Sequence, residues 1–390
     1  MDQVDIAIIG GGVIGSAVAF NLLSLDPKLS VMVIERDPTY RTASSALSAS
    51  SIRQQFSTPI NIAMSQFGMT FLKDIGTHLT VDDEAPDIAL VESGYLYLAT
   101  ERGASTLSQN FAIQRQAGVD IALLEPAALA ERFPWLSTED LALGALGLSG
   151  EGWFDGYSLL QAFRRKARSL GAVYVTASAI GFDQDRRGIT AVTLDTGRKV
   201  ACGKLVNAAG PQAGQVAALA GIQLPVRPEK HCVFVFDCKE APQGCPLLID
   251  PSGVYFRPEG RFFIGGPPPQ PAADPDDEAL EVDYHLFEDV LWPALAARVP
   301  AFEAIKLVSA WAGHYEMNLF DHNAILGTPP DLPNFYFANG FSGHGMQHAA
   351  AAGRGVAELV LFGEYRSMDL SLLNFDRLLR NEPICELNII

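Results

Sequence analysis

Three glycines and one glutamate near the start of the chain carry its strongest chemical signal. Gly10, Gly12 and Gly15 stand in G-x-G-x-x-G spacing, and Glu35 follows Gly15 by twenty residues. In this pattern the first glycine allows a tight turn and the second lets backbone N–H groups reach a pyrophosphate. The third lets a helix pack close to a strand, and the acid binds both hydroxyls of an adenosine ribose. The flanking residues suit that chemistry. Residues 4–9 are a short apolar strand, residues 16–25 a helix, and residues 29–34 a second strand ending at Glu35. Val13 and Ile14 stand in the glycine turn before the helix, whose N-terminal partial charge faces the phosphates. A glycine turn in an ordinary α/β domain would leave Glu35 unexplained.

Two later motifs extend the reading. Residues 205–211 run from an apolar strand through Asn207, Ala208 and Ala209 into Gly210 and Pro211, a turn that can lie over a bound dinucleotide. Gly340, Phe341, Ser342, Gly343, His344, Gly345 and Met346 precede a helix expected over 347–362. Three glycines before a helix expose N–H groups to an anion. The useful anion is a reduced flavin, charged around its pyrimidine edge, and stabilising that charge favours hydride acceptance. The bland alternative is a plain helix start, with Phe341 and Met346 as packing residues.

The elements that position these motifs fall into two groups. Strands are expected at 173–177 and 205–208, with a hairpin of 189–194 and 199–201 between them. A second set, two strands within 87–99 around Ser93 and Gly94 and three at 230–237, 253–257 and 261–265, forms a separate antiparallel sheet. Helices are expected over 60–76, 157–170 and 283–299, and residues 265–281, rich in Pro and Asp, read as a surface loop. The fold class is α/β in an α+β two-domain arrangement: a Rossmann-type FAD-binding domain with an inserted antiparallel-sheet substrate domain. The expected FAD-binding segments are 1–85, 150–226 and 316–390, and the substrate segments 86–149 and 227–315.

Composition narrows the class. At 390 residues the chain is long enough for two domains, and 48% hydrophobic content supports a sizeable core. A net charge of −17 argues against nucleic acid or anionic lipid as the main partner. The charge-free stretches 6–25 and 205–226 are broken by glycines and polar residues, so no membrane span is expected, and Asp2 and Asp5 precede the first in place of a basic signal region. The five cysteines include no C-x-x-C and no zinc-spaced His/Cys cluster; reduced thiols, a cytoplasmic protein and no metal are expected.

With these motifs in place, the chain resembles the D-amino-acid oxidase superfamily of FAD enzymes, in its sarcosine oxidase and glycine oxidase branch. Residues 46–57, 94–99 and 151–155 are similar to one subgroup, which includes a mitochondrial FAD-dependent oxidoreductase-domain protein linked to respiratory complex I assembly. The β subunits of hetero-oligomeric sarcosine oxidase and proline dehydrogenase are also similar. The resemblance implies noncovalent FAD, with Ser44 and Ser45 at the pyrophosphate, Ala179 at the adenine, Arg36 beside Glu35, Ala209 and Gly210 over the dinucleotide, and 340–346 at the pyrimidine. Arg53 falls near an arginine that pairs with substrate carboxylate. Tyr255 and Tyr315 fall at pocket tyrosines and His344 at a histidine near the ring.

Departures from the family pattern matter too. Gly313 replaces the cysteine that links FAD covalently in sarcosine oxidase, while Gln347 and Phe263 replace lysines that serve substrate carboxylate and oxygen chemistry. The lost charges favour a dehydrogenase over simple sarcosine oxidase activity. The implied reaction is hydride transfer from the α-carbon of an amino acid or secondary amino acid to flavin N5. The resulting imine hydrolyses, and O2, a quinone or another redox protein reoxidises the flavin. Two alternatives stay open: a 2-hydroxy-acid or glycerol-phosphate dehydrogenase of the same superfamily, and a flavin-bearing subunit or assembly factor. Homo- and hetero-oligomers both fit. Arg257 is either a substrate contact or a structural ion pair, Trp153 and Phe154 read as packing, and Asp155 as the N-cap of the helix that follows. Lys230 and His231 open a strand that borders the pocket, with their direction unfixed.

Overall fold

The structure, a computed structural model, describes residues 3–268 and 279–387. Part of the expected loop at 265–281 therefore lies outside the described residues. Gln3–Ile9 and Val31–Glu35 are near-continuous apolar runs because they are central parallel strands covered on both faces. The first sheet runs in the order Ile325–Gly327, Phe335–Asn339, Lys199–Asn207, Gln3–Ile9, Val31–Glu35, Val173–Thr176. All neighbours pair parallel except the Ile325–Gly327 edge. Ile9 pairs with Asn207, so the first two glycine motifs leave adjacent strand ends side by side.

Helix Val13–Leu25 fills the space between this sheet and the last long helix, Gly345–Phe362. A Cβ on Gly353 would stand 2.6 Å from the Cβ of Ala17, so small residues set the spacing of the pair. The second sheet is mostly antiparallel. Its long strands Val226–Asp237 and Lys306–Asn318 pair over their whole length, and Tyr255–Glu259, Phe262–Gly266, Leu247–Ile249 and Tyr95–Ala99 continue it. A cluster of Phe234, Phe236, Phe256, Phe263 and Phe302 forms its core.

Several elements differ from expectation. Of residues 87–99 only Tyr95–Ala99 is a strand; before it, Ala89 takes φ 47 with its N–H donating to Asp87 Oδ1 at 2.8 Å, and Val91 forms a single bridge to Trp153. The helix expected over 60–76 stops at Lys73, where Asp74 leaves helical geometry and accepts from Thr77 Oγ1 at 2.7 Å, and a short helix Ile75–Leu79 follows. The helix expected over 283–299 opens as a π turn, Leu286–Leu291, before Trp292–Arg298. Pro293 lacks the N–H an α turn needs and clashes with the carbonyl four residues back, which the wider turn avoids. The hairpin beside Lys199–Asn207 gains a further strand, Ala179–Asp185, hidden in the sequence by its polar exposed end.

Candidate active site

The adenosine end of the site is built on the first turn. Gly10 has φ +95, and a Cβ there would meet Ala208 O at 2.2 Å; a Cβ on Gly15 would meet Gly10 O at 1.9 Å. No side chain fits at either place. Glu35 Oε2 accepts from Gly11 N at 2.7 Å and Oε1 from Asp37 N at 2.8 Å. Those two bonds hold the carboxylate still and leave lone pairs for ribose hydroxyls. Burial, then the charge of Glu35, pushes the Tyr40 phenol up and keeps it protonated. Ser45 Oγ accepts from Val13 N at 3.0 Å, while Ser44 Oγ is buried without a hydrogen-bond partner. Helix Val13–Leu25 has no acid in its first turn. A lone hydroxyl beside a helix N-terminus fits a phosphate oxygen.

The opposite end lies where strand Lys306–Asn318 meets the loop before helix Gly345–Phe362. Glu316 Oε2 accepts from Gly340 N at 3.0 Å, its carboxyl also takes the Phe341 N–H, and its main-chain oxygen accepts from Ser342 N at 3.2 Å. His344 N donates to Phe341 O at 2.9 Å. The Gly340, Phe341 and Ser342 amides fasten the loop to the strand, and the His344 amide closes a turn within it. Gly343, Gly345 and Met346 line the cavity instead. Gly343 has φ +91, and a Cβ there would strike the Tyr315 ring at 2.5 Å.

One cavity of about 600 Å³ joins the two ends. It is lined by Gly10, Gly12, Val13, Ile14, Glu35, Arg36, Ser44, Ser45, Ala179, Ala209, Gly210, Tyr255, Gly313, Tyr315, Gly343, Gly345 and Met346 of the residues expected from sequence. Gly15, Arg53, Gly340, Phe341, Ser342 and His344 stand behind its wall. Arg53 is buried: NH1 donates to Tyr97 Oη at 2.7 Å and to Gln55 O at 3.1 Å, NH2 lies 3.0 Å from His344 Nε2, and the guanidinium covers the Phe56 ring at 4.1 Å. Burial, then the Arg53 charge, holds His344 well below the usual imidazole range, so it is neutral. Gln347 Oε1 accepts from Arg53 N at 2.8 Å.

Among the lining residues that have no role assigned from sequence, two bear on the chemistry. His231 stacks on Tyr315 with centroids 3.8 Å apart and bonds Glu229 through Nε2 at 3.0 Å. Strand alternation places Glu229 and His231 on one face, a signal available in the sequence. Glu316 also lines the cavity, and no motif points to it. Arg257 is structural: NH2 donates to Ala49 O at 2.7 Å, NH1 pairs with Glu259, and the group lies over Trp153. Trp153 and Phe154 are buried, and Asp155 caps its helix by accepting from Ser158 N at 3.0 Å.

This geometry suits a dinucleotide with a second, anionic end, and comparison with known proteins decides which. Residues 5–359 match the DAO family, described as FAD dependent oxidoreductase. The chain belongs to this family. It is 42% identical over 425 residues to FAD-dependent oxidoreductase domain-containing protein 1 of Xenopus laevis, covering 100% of this chain and 85% of that one. It is 29% identical over 366 residues to glycine oxidase of Geobacillus kaustophilus, covering 91% and 92%. Among solved structures, L-proline dehydrogenase from P. horikoshii superposes with a TM-score of 0.86 at 25% identity, covering 98% of this chain and 100% of that one.

The protein is therefore an FAD-dependent oxidoreductase with the two-domain α/β fold of its relatives. Glu35, Ser44, Ser45 and the first residues of Val13–Leu25 and Gly345–Phe362 line the cavity in which that cofactor would bind. At Gly313, which has no side chain to form a covalent link, a Cβ would already stand 2.8 Å from Leu47 Cβ. Among the described residues all five cysteines are unpaired, no acidic, histidine and cysteine cluster could hold a metal, and no helix is long and apolar enough to cross a membrane.

Proposed function

We propose that this enzyme oxidises the C–N bond of an amino acid or N-substituted amino acid, with FAD held noncovalently. Bound FAD supplies a hydride acceptor at N5. The chain's own residues must orient the amine, deprotonate it and exclude water. The observation that carries the reading is the meeting of His231, Tyr255 and Tyr315 on one wall of the cofactor cavity. Burial pushes both phenols up, so they stay protonated and can serve as hydrogen-bond donors. His231, its Nε2 3.0 Å from Glu229 Oε1, is the lining group assigned to receive the ammonium proton. The amine lone pair then forms the C=N bond as the α-hydrogen leaves with its electron pair, and water converts the imine to a carbonyl and an amine.

Arg53 acts from behind the wall. Its charge, fixed by Tyr97 and His344, lies beside the loop that carries Gly343 and Gly345 and draws a substrate carboxylate to that side. Phe263 is packed in the antiparallel-sheet core, with its ring 5.7 Å from that of Phe236. No cation for oxygen activation stands at that position, which favours a quinone or redox protein as acceptor over O2. The names of the relatives, glycine oxidase and sarcosine dehydrogenase, support an amino-acid substrate. The unpaired thiols suit a reducing compartment, and the cytoplasm is the proposed one.

The test is anaerobic bleaching of the purified yellow protein with a panel of secondary and D-amino acids, beside 2-hydroxy acids and glycerol phosphate. Bleaching by an amine is the expected result. Bleaching by hydroxy compounds alone would give the site to the other reaction class, and none at all would favour a role through protein contacts.

A further inference from the structure

Glu316 is the one carboxyl on the cavity wall at the end where the Gly345–Phe362 helix begins, among the described residues. Its Oε2 is tied to Gly340 N at 3.0 Å. Its Oε1 stands 3.5 Å from where a Gly345 Cβ would be, toward that helix start. No ion pair is needed to hold it there. We propose that Glu316 is a proton-holding residue at the pyrimidine end of bound FAD, taking up a proton when the ring accepts an electron pair. The inference rests on FAD binding and not on which substrate delivers the electrons.

The physical argument is a competition for charge. A carboxylate beside a ring that gains negative charge is repelled, whereas a carboxylic acid is neutral and can donate a hydrogen bond to it. Burial has already pushed this carboxyl up to about 8, against the pull of the Gly340 and Phe341 amides. Of the ionisable groups on surrounding elements, Arg53 beside the same loop is bonded to Tyr97 and His344. Glu229 is bound to His231, Asp321 to Arg377, and Tyr315 and His344 are held neutral by burial. Arg227 on the paired strand is exposed, and His314 and His322 complete the set. Above its oxidised-state pKa the balance is FAD and ionised Glu316, plus two electrons and two protons, giving reduced anionic FAD and protonated Glu316. Below that pKa only one proton enters.

The experiment measures the midpoint potential of bound FAD from pH 7 to 9.5, with an enzymatic reductant and mediator dyes. Each proton taken up with an electron pair contributes about 30 mV per pH unit, the two-electron value of a tenfold change. Wild type is expected to steepen from about 30 to about 60 mV per pH unit above pH 8, on the same conversion. Glu316→Gln, which keeps an acceptor for Gly340 N, is expected to hold the shallower slope throughout. Identical slopes in the two proteins would overturn the proposal. A count on wild type alone guards against a variant that folds poorly: reduction at pH 9 in weak buffer should consume two protons per electron pair, and one would overturn it.

Discussion

At the scale of single residues, the site is organised by buried charges that do not touch the cavity. Arg53 donates to Tyr97, Gln55 and His344, and removing it leaves three buried polar partners unmatched. Each bond to a charged group contributes about 1.5–3 kcal/mol. Arg53→Met should retain FAD yet slow anaerobic bleaching by the responding amine roughly ten- to a hundredfold. An unchanged rate would remove Arg53 from the carboxylate's environment.

Glu151 makes a second residue-scale prediction. Its carboxylate accepts from Gln54 N at 2.5 Å, Gln55 N at 3.1 Å and Gln55 Nε2 at 2.9 Å, pinning the segment that carries Arg53. Burial outweighs these bonds and pushes it up to about 7 from 4.5. A carboxyl with a raised folded pKa binds more protons folded than unfolded. Its contribution is complete below pH 4.5 and is lost as pH rises through about 7. His344 and His348, both lowered by burial, oppose this only where an unfolded histidine would be charged, below about pH 6.5. From pH 6.5 to 8 the melting temperature should therefore fall as pH rises, because Glu316, pushed up to about 8, adds a loss of the same sign, and Glu151→Gln should lessen the fall below about pH 7 while leaving the part due to Glu316. A melting temperature that climbs over that interval in wild type would contradict the assignment.

At the scale of elements, the close contact of the first and last helices does the positioning. Both N-termini reach the same cavity because Gly353 and Ala17 let the helices nearly touch. Gly353→Val would overpack this contact at a cost of about 1–3 kcal/mol. A melting temperature lower by a few degrees, with weaker FAD retention, is the expected outcome, and retention titrated against wild type checks it. Much of this was legible beforehand. The G-x-G-x-x-G spacing and Glu35 specify the first β-α-β unit, because each glycine there answers a steric demand that no side chain meets. The antiparallel strands expected at 230–237 and 261–265 showed in their β-branched and aromatic runs, although the first begins four residues earlier, at Val226. Three things were hidden. The partner of the 340–342 amides is Glu316, a contact between segments that no local pattern encodes. Arg53 looks like a carboxylate clamp by type, but its direction depends on Tyr97 from another strand. The direction of His231 follows from register with Tyr315's strand, which hydrophobic alternation alone leaves open.

At the scale of the whole molecule, FAD is a cross-link between distant parts of one chain. The cavity draws lining from the first turn, from Ser44 and Ser45, from Ala179 and Gly210, from the antiparallel sheet at Tyr255 and Tyr315, and from Met346. A ligand that meets all of these only in the folded state stabilises it by mass action, about 2.7 kcal/mol when free FAD is a hundred times its dissociation constant. Stripping FAD should thus lower the melting temperature, and adding it back should restore it with a dependence on FAD concentration that gives the constant. The same preparation tests the absence of a covalent link. With only hydrogen at Gly313, acid precipitation should leave all the yellow colour in the supernatant. Colour carried down with the protein would mean that another lining residue, Cys232 first among them, has bonded to the ring.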